Sequence, residues 1–484
     1  MSFSVKNAYF ERCSLVIEAD STLDQAVRLV KNDGSVLVEP SFSVLGAHCA
    51  TYKFDFASGL NGKVIPSGTY SLSGAELPES IELNADFSGS GTIYTVNVTN
   101  SEITVEYSPS KLSFADALFN FGINVLYSLG RLMPNKQNRV VFASESRQNL
   151  SGNMLYVLNK AKELDLTNGK KVLTSFINGN RLLFYARCAV LLGSCDTVVT
   201  DDYFPLINRL RFSKKVRIIQ LWHACGAYKT VGYSRCGKVG APRLDGPSHR
   251  CYTHAIVSSE AMRRHYAEAF GIRQENVYAT GIPRTDVFFD KDYAALKKSD
   301  LLSEYPLLNG KKIMIFAPTF RGNGKHSAHY PQEAVDLERL AEFCRNNGWV
   351  TIFKMHPFVN NFTLPKGYDD VFIDMSSYRE INDLLFLADL LITDYSSVIY
   401  EASLLDIGML FYVFDLEEYT ASRDFYEPFE RYLAGKCAHN FDELLSALES
   451  GEFDKYKTLA FRAYSMDACD GSASERVARL IFNA

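Results

Sequence analysis

The sequence predicts an α/β protein in which a small β-rich domain precedes two Rossmann-like domains that face each other across a cleft. Three observations lead to this prediction. Residues 1–108 alternate apolar and polar positions, as in GTIYTVNVTNSEITVEY. Two later series of short apolar runs alternate with helical segments, as parallel sheets with crossover helices require. A length of 484 residues with 47% hydrophobic composition is enough for two or three domains.

The first domain, residues 1–108, is predicted to be a small antiparallel sandwich or barrel. It is rich in Ser, Thr, Val and Gly, and turn signals recur at residues 32–34, 61–62 and 88–91. We recognise no catalytic constellation in this stretch. The domain is therefore expected to be a binding or assembly module, with a purely structural role as the alternative.

An amphipathic helix is predicted from about residue 113 to residue 132, within a linker that spans residues 109–137. Its apolar positions recur every three or four residues, at Phe114, Leu118, Phe121, Val125, Leu129 and Leu132. Basic residues accompany it at Arg131, Lys136 and Arg139. Such a helix can lie on an anionic membrane surface. Alternatively, the apolar stripe packs between two domains.

Two Rossmann-like domains are predicted over residues 138–290 and 291–484. Strands of the first are expected in RVVFASES, KKVLTSFI, CDTVVTDD, VRIIQLWHA, HAIVSS and NVYATG. Strands of the second are expected in KKIMIFAPT, WVTIFKMHP, VFIDMS, LLITDYSS and GMLFYVFD, after a polar, lysine-rich linker over residues 290–312. No GxGxxG fingerprint follows any of these strands, which argues against a nicotinamide or flavin dinucleotide.

Composition argues against several classes of function. A formal net charge of −5 provides no general electrostatic footprint for nucleic acid. The ten cysteines form no CxxC pair, which indicates reduced thiols in a cytoplasmic setting. We recognise no signal peptide and no apolar run of about 18 residues that would predict a transmembrane helix. A cytoplasmic protein is therefore expected.

Polar groups at the predicted strand ends indicate the chemistry. After Leu390–Thr393 the chain reads Asp394-Tyr395-Ser396-Ser397 and then continues with helical spacing, so a helix start there could receive a phosphate or simply be capped by serine. Other strand ends carry His223, Arg284, Arg321, Lys354, His356 and Arg423. Parallel strands bring such residues to one cleft. The set suits an anionic, phosphate-containing substrate and a histidine that accepts a proton near neutral pH.

Several motifs follow one another in a specific order. They are QLWHACGAYKTVGYS, GIPRTDVFF, IMIFAPTFRG, FKMHP, DLLITDYSSVIYEASLL, YTASRDFYEPFE and DGSASERVARLI. This combination resembles the CDP-glycerol glycerophosphotransferases, which build teichoic-acid and related polyol-phosphate polymers in bacteria, over about residues 138–482. The resemblance implies a GT-B-like fold and metal-independent transfer of glycerol phosphate from CDP-glycerol to a hydroxyl of a lipid-linked acceptor.

The resemblance also implies roles for individual residues. His223 matches the motif histidine proposed as the general base, and His356 matches the second histidine of the donor cleft. The groups assigned to the donor and its phosphates are Thr319, Arg321, Asp394, Ser396, Ser397 and Arg423, with Gly281, Arg284 and Lys229 as further candidates. Many relatives have WHG and a proline-containing loop, where this chain has Ala224 and Cys225-Gly226-Ala227.

The expected reaction is attack of an acceptor hydroxyl on the β-phosphorus of the donor, with CMP as the leaving group. An alcohol is a poor nucleophile at neutral pH, and His223 is the expected base. No carboxylate pair is placed to hold Mg²⁺, so cations and helix N-termini have to stabilise the developing charge. Neither a metal nor a cofactor is expected.

Alternative functions stay open at the level of sequence. A zinc site could draw on His223, Cys225, Cys236, His249, Cys251 and His254, although their spacing fits no standard finger. A nucleotide-sugar glycosyltransferase, a 2-epimerase or a non-catalytic nucleotide-binding scaffold could use the same two-domain frame. The donor could also be CDP-ribitol. Because the acceptor is lipid-linked, the protein is expected at the inner face of the cell membrane, bound peripherally.

Overall fold

The computed structural model describes residues 3–19, 27–45, 49–60, 62–78, 80–88, 91–99, 102–133, 138–238, 241–322 and 326–482. A β-rich domain is followed by a first α/β lobe, which begins with a long helix, and then by a second α/β lobe. Each lobe contains one parallel six-stranded sheet. The predicted fold class is therefore confirmed.

The β-rich domain is a sandwich of two sheets. Its strands are β1 (Phe3–Glu11), β2 (Ser14–Ala19), β3 (Arg28–Lys31), β4 (Leu37–Val38), β5 (Phe42–Leu45), β6 (Ala50–Asp55), β7 (Gly68–Ser73), β8 (Ala75–Glu76), β9 (Leu83–Asp86), β10 (Ile93–Thr99) and β11 (Glu102–Ser108). One sheet has the order β5-β6-β2-β1-β8 and the other the order β4-β3-β7-β11-β10-β9. Phe54, Tyr70 and Tyr94 meet in a common core, which explains the alternating pattern. Predicted turn residues 61, 89 and 90 lie outside the described residues.

The first lobe has the sheet order β13-β12-β14-β15-β16-β17. These strands are β12 (Arg139–Ser144), β13 (Lys171–Phe176), β14 (Thr197–Thr200), β15 (Arg217–Gln220), β16 (His254–Ile256) and β17 (Val277–Tyr278). The helices are α1 (Phe114–Arg131), α2 (Gly152–Glu163), α3 (Arg181–Gly193), α4 (Pro205–Arg209) and α5 (Arg263–Phe270). The strand order reverses between β12 and β14, where α/β proteins form a ligand-binding crevice.

The second lobe has the sheet order β20-β19-β18-β21-β22-β23, which is typical of Rossmann folds. Its strands are β18 (Lys312–Phe316), β19 (Trp349–Phe353), β20 (Phe372–Asp374), β21 (Leu390–Thr393), β22 (Gly408–Tyr412) and β23 (Lys436–Ala438). The helices that follow the first lobe are α6 (Lys291–Glu304), α7 (Leu337–Asn347), α8 (Ile381–Leu385), α9 (Val398–Ala402), α10 (Leu416–Ser422), α11 (Phe441–Ser450), α12 (Lys455–Ser465) and α13 (Ala473–Phe482). Here the order reverses between β18 and β21.

The stretch over residues 290–312 was expected to be a polar linker, and this expectation is wrong. The carboxylate of Asp290 accepts the Tyr293 N–H at 2.9 Å and caps α6. Leu301 and Leu308 are buried in the core of the second lobe. The polar composition arises because most other side chains of α6 are exposed, so only a few apolar positions mark its packed side.

The first lobe is completed by helices from both ends of the α/β region, α1 and α13. Helix α1 packs on α3 so closely that a Cβ atom on Gly130 or Gly193 would collide with the backbone of the other helix. Residues 114–131 therefore belong structurally to the first lobe. At the other end of the chain, α13 crosses back, and its Val477 and Ile481 join Met154 of α2 in a core of the first lobe.

The apolar stripe of α1 is exposed. Phe114 is 85% exposed, Phe121 69% and Leu132 80%, whereas Ile123 and Tyr127 on the other side of the helix are buried. The alternative that this stripe packs between two domains is therefore wrong. Lys136 lies outside the described residues. Within the part of the chain that the structure describes, no helix has the length and hydropathy needed to cross a membrane.

Candidate functional site

His223 follows β15 on a strained piece of backbone. Trp222, the residue before it, has a φ of 50°, a left-handed conformation that is unfavourable for a bulky side chain. The Trp222 N–H donates to Gln220 Oε1 at 2.8 Å, and its carbonyl accepts from Asn153 Nδ2 at 2.8 Å. These bonds hold a turn that leaves 49% of the His223 side chain exposed.

Asp202 lies two residues beyond β14 and contacts His223. Its Oδ1 is 3.3 Å from His223 Nδ1. Burial by itself would raise the pKa of Asp202. The hydrogen bond from His223 and its charge, together with hydrogen bonds from the Ser146 side chain and the Tyr203 N–H, lower this pKa to about 2. An ionised Asp202 favours the His223 tautomer with its proton on Nδ1, which leaves Nε2 as the acceptor.

Arg284 connects the histidine turn to the second lobe. Its Nη1 donates to the His223 carbonyl at 2.7 Å, and its Nη2 forms an ion pair with the buried Glu401 of α9. Glu401 also accepts from the Cys225 thiol at 3.2 Å. The Arg284 guanidinium is thus shared between the first lobe and α9.

The loop after His223 pairs with the backbone of the second lobe. The Thr230 N–H donates to the Asp424 carbonyl at 3.0 Å, and the Tyr426 N–H donates to the Tyr228 carbonyl at 3.1 Å. Gly226, where this chain departs from the relatives' motif, lies against the Tyr400 ring so closely that a Cβ atom would collide with it. The two lobes are therefore joined next to His223.

Arg321 lies at the reversal point between β18 and β21 and is held by two aspartates. Its Nε and Nη2 donate to Asp415 at 2.5 and 2.9 Å, and its Nη1 donates to Asp394 at 2.9 Å. Asp394 also accepts the Thr319 N–H at 2.7 Å. The structure thus brings Thr319, Arg321 and Asp394 together, with the guanidinium engaged mainly by carboxylates of the protein.

Lys229 and Arg423 lie beside this network. Lys229 Nζ donates to the Tyr419 hydroxyl at 2.8 Å, and Arg423 Nη2 donates to the Gly322 carbonyl at 3.0 Å. Neither cation forms an ion pair with a carboxylate among the described residues. The pKa of Lys229 is lowered to about 8, mainly by burial; the charge of Asp394 opposes this shift, and the charges of Arg423 and Arg321 add to it. Closely spaced cations without a carboxylate partner are chemically suited to hold an anion.

His356 lies near the same cations. Its Nδ1 accepts the Phe358 N–H at 3.2 Å, so the neutral ring carries its proton on Nε2. Burial lowers the pKa of His356, and the charges of Lys354 and Lys229 lower it further. The side chain is therefore a neutral hydrogen-bond donor at pH 7.

The turn of the TDYSS motif joins β21 to α9, as predicted. The Ser397 side chain is exposed, and Ser396 Oγ accepts the Val398 N–H at 3.4 Å. Gly281 has a φ of 78°, and a Cβ atom there would collide with the backbone of Ala468. Packing and backbone conformation therefore explain this glycine.

The residues of the zinc alternative other than His223 and Cys225 are spread over the first lobe. The Cys251 thiol donates to Asn208 at 3.1 Å, and the ring of His249 stacks on Phe270. The ring of His254 stacks on Tyr278. Among the described residues, no three His, Cys, Asp or Glu side chains are grouped so that they could hold a metal ion.

Three partners of the site were not foreseen from the sequence. Asp202 ends the CDTVVTDD stretch, Asp415 ends the GMLFYVFD stretch, and Glu401 follows the TDYSS turn. Asp202 and Asp415 lie just beyond a strand end, which is the signal that could have identified them, whereas Glu401 lies inside α9. Their partners, however, are distant in sequence.

Comparisons with known proteins show which family this chain resembles. Residues 125–483 match the model of the CDP-Glycerol:Poly(glycerophosphate) glycerophosphotransferase family. The chain is 44% identical over 378 residues to the teichoic acid ribitol-phosphate polymerase TarK of Staphylococcus aureus, covering 77% of this chain and 73% of that protein. It is 30% identical over 302 residues to a teichoic acid glycerol-phosphate primase of Bacillus subtilis, covering 61% and 76%.

The fold is also similar to a solved structure. The wall teichoic acid polymerase TagF superposes with a TM-score of 0.62 at 21% identity, over 76% of this chain and 97% of that one. The family match includes the C-terminal part of α1, both lobes and every predicted site residue, and the β-rich domain precedes it. The chain therefore belongs to the CDP-glycerol:poly(glycerophosphate) glycerophosphotransferase family, whose relatives here are teichoic acid polyol-phosphate polymerases and primases.

Proposed function

We propose that this protein transfers a polyol phosphate from a CDP-activated polyol to a hydroxyl of a teichoic-acid-type acceptor, with release of CMP. The observations that support the proposal are the His223–Asp202 pair after β15 in the first lobe and the cations Lys229 and Arg423, which lie beside Arg321 at the reversal point of the second lobe. A base for a hydroxyl and fixed cations for a diphosphate are what this reaction requires.

In the proposed mechanism His223 Nε2 accepts the proton of the acceptor hydroxyl. The hydroxyl oxygen bonds to the β-phosphorus of the donor, and the bond from that phosphorus to the bridging oxygen breaks, so CMP leaves with that oxygen. Asp202 holds Nδ1–H and stabilises the imidazolium that forms. A positioned base of this kind contributes roughly 100- to 10,000-fold to the rate.

Lys229 and Arg423 are proposed to bind the diphosphate oxygens, and His356 to donate a hydrogen bond from Nε2. Arg321 and Asp394 are proposed to fix the crevice between β18 and β21, because most donors of the guanidinium are already used. Ser396 and Ser397 add hydroxyl groups at the turn after β21. The proposed mechanism uses no metal ion, since the charges come from these side chains.

We propose ribitol as the polyol, because identity is 44% to a ribitol-phosphate polymerase and 30% to a glycerol-phosphate primase. Glycerol, indicated by the motifs and by the family description, is the second candidate. The test supplies CDP-ribitol, CDP-glycerol or a UDP-sugar with acceptor and measures release of CMP or UDP. We expect kcat/KM at least about tenfold higher for CDP-ribitol, equivalent to about 1.4 kcal/mol. The reverse ratio assigns glycerol, and release of UDP alone refutes the proposal.

We further propose that the acceptor is lipid-linked and that α1 contacts the inner face of the cell membrane. Leu182 and Leu183 of α3, the helix that packs against α1, are also exposed. Arg131 and Arg187 lie on the same two helices and are exposed. An apolar patch with basic residues matches an anionic bilayer, because both the hydrophobic effect and charge then favour contact.

A further inference from the structure

A row of aromatic rings extends from His223 across the first lobe. The centroid of the His223 ring lies 4.5 Å from that of Trp222, the Trp222 ring lies 5.9 Å from that of His249, and the His249 ring lies 4.7 Å from that of Tyr203. Trp222 and His249, in the middle of the row, are each only 6% exposed. The accessible groups are therefore the two ends of the row, His223 and Tyr203, and Tyr203 is 39% exposed.

Tyr203 is held by the same carboxylate that orients the histidine. It directly follows Asp202, and its N–H donates at 2.7 Å to Asp202 Oδ1, the oxygen that contacts His223 Nδ1. The Tyr203 ring lies against His249, whose own ring stacks on Phe270 at 5.1 Å. The exposed part of the Tyr203 ring is thus fixed relative to the proposed base, so a ligand could bind to it at little cost in side-chain ordering.

The outer end of the row is uncharged and carries hydroxyl groups. Burial lowers the pKa of His249 to about 4, although the charge of Asp202 opposes this shift, so its ring is neutral at pH 7. The Tyr203 hydroxyl lies 3.3 Å from Ser248 Oγ, and both groups can donate and accept hydrogen bonds. An aromatic face beside neutral hydroxyls suits a chain of C–H and O–H groups rather than a phosphate.

We propose that Tyr203 binds the polyol chain of the acceptor, behind the hydroxyl that attacks the donor, and so contributes to acceptor specificity. C–H groups next to hydroxyls carry partial positive charge, which the negative face of an aromatic ring attracts. Hydroxyls of the polyol would bond to Tyr203 and Ser248. The proposal rests on the proposed function, which supplies the acceptor.

The position of the row favours the acceptor over the donor. The row belongs to the first lobe and ends on the proposed base, which has to contact the acceptor hydroxyl. The groups assigned to the donor phosphates, Lys229 and Arg423, lie beside Arg321 of the second lobe instead.

Steady-state kinetics of the full-length protein with a short, soluble ribitol-phosphate oligomer tests the proposal. We expect Tyr203→Ala to raise the KM for this acceptor at least about fivefold, because a ring contact and a hydrogen bond are lost. Tyr203→Phe keeps the ring and should recover part of this loss. The KM for the CDP-polyol and the pH dependence of kcat should stay unchanged, because the backbone N–H that holds Asp202 remains. Tyr456→Ala, at an 87% exposed position of α12, is the control.

Direct binding separates this proposal from the transferase proposal. Saturation-transfer NMR on the His223→Ala protein measures binding of the same oligomer when the proposed base is absent. We expect saturation transfer to the C–H protons of the polyol, and binding at least about fivefold weaker when Tyr203→Ala is added. This result does not depend on CMP release. A failure of the transferase proposal would appear in the CMP assay instead.

Three results would overturn the proposal. The first is an unchanged acceptor KM together with unchanged binding in Tyr203→Ala. The second is a rise in the KM for the CDP-polyol alone, which would assign Tyr203 to the donor. The third is a lower kcat with a shifted pH profile at unchanged acceptor KM, which would show that Tyr203 acts only through Asp202. Tyr203→Leu, which keeps apolar packing against His249 but has no aromatic face, should reproduce the loss and replaces Tyr203→Ala if that variant does not fold.

Discussion

At the scale of single residues, the proposed mechanism depends on the pairing of His223 with Asp202. The carboxylate stays ionised at neutral pH and holds Nδ1–H, so the basic nitrogen is Nε2. A histidine without this partner would divide between two tautomers. In the proposed mechanism the pair therefore makes the exposed His223 an oriented base.

Substitutions of His223 and Asp202 should separate the effect of losing the base from the effect of losing its orientation. We expect His223→Ala to lower kcat at least about a hundredfold in folded protein, because the base is lost. Asp202→Asn should lower kcat about tenfold or more, because an amide can donate to Nδ1 and favour the wrong tautomer. The measurement is CMP release at saturating donor. Asp406→Asn on the exposed surface is the control, and unchanged turnover in His223→Ala would refute the assignment.

The lowered pKa of Lys229 predicts a pH dependence of donor capture. The ammonium group should lose its proton above about pH 8 rather than near 10.5, so positive charge is lost from the phosphate site as the pH rises. We expect kcat/KM for the donor to fall about tenfold per pH unit above about pH 8. Lys229→Arg keeps its charge and should remove this decline up to pH 9.5. An identical decline in both proteins would assign it to another group.

Most residues that sequence analysis placed at strand ends lie within a few positions of one, because parallel strands bring their carboxyl ends to one edge. Arg284 and Arg423 do not: Arg284 lies in a short 3₁₀ helix beyond β17, and Arg423 directly follows α10. What the sequence could not provide was the partner of each residue. Arg321 was expected to bind phosphate, yet it pairs with Asp394 and with Asp415, which lies 94 positions away in sequence. Such pairs are set by the strand order, which no local pattern encodes.

At the scale of elements, apolar runs predicted the strands of both lobes except β23, because buried parallel strands are mostly apolar whereas β23 has only three residues. Helix α6 was missed because few of its residues are buried. The environment of α1 was also undetermined, since an amphipathic pattern does not reveal whether its apolar face meets protein or lipid. The exposure of that face in the structure shows only that it does not pack within this chain.

The exposed face of α1 predicts binding to vesicles. We expect wild-type protein to cosediment with anionic liposomes at low salt and less at high salt, because Arg131 and Arg187 are screened. Phe121→Glu or Val125→Glu should weaken cosedimentation and leave turnover on a soluble acceptor analogue unchanged. Ala295→Glu adds the same charge on exposed α6 and is the control. Equal binding by all four proteins would refute a role for α1.

Removing the hydrogen bonds that hold the turn at Trp222 should lower both the stability of the protein and the rate of the reaction. Asn153 is buried; its amide donates to the Trp222 carbonyl and accepts the Arg284 N–H at 3.0 Å. We expect Asn153→Ala to lower the free energy of unfolding by about 1–3 kcal/mol, since it leaves buried groups unpaired. It should also lower kcat, because the left-handed turn can relax. Chemical denaturation and CMP release measure the two effects, and an unchanged kcat would show that the turn is not needed for the reaction.

At the scale of the whole molecule, the cleft depends on contacts that join distant parts of the chain. The ion pair of Arg284 with Glu401 and the backbone pairing near Tyr228 connect the lobes, and α13 returns to the first lobe. The β-rich domain contacts both lobes through Arg12, which bonds to Glu268 and to the Tyr426 carbonyl. The order of domains was predictable from sequence, whereas these crossings were not, because they join surfaces that have no sequence signature.

The central claim is that the cleft transfers a polyol phosphate to an acceptor without a metal ion. The most direct test is a single-turnover measurement of CMP release from a labelled CDP-polyol in EDTA, with and without acceptor. We predict rapid release that requires acceptor and moves the label onto it, and Arg423→Ala should slow this step because a charge-assisted contact worth about 1.5–3 kcal/mol is lost. Release of CMP without acceptor, or release abolished by EDTA and restored by Mg²⁺, would contradict the account.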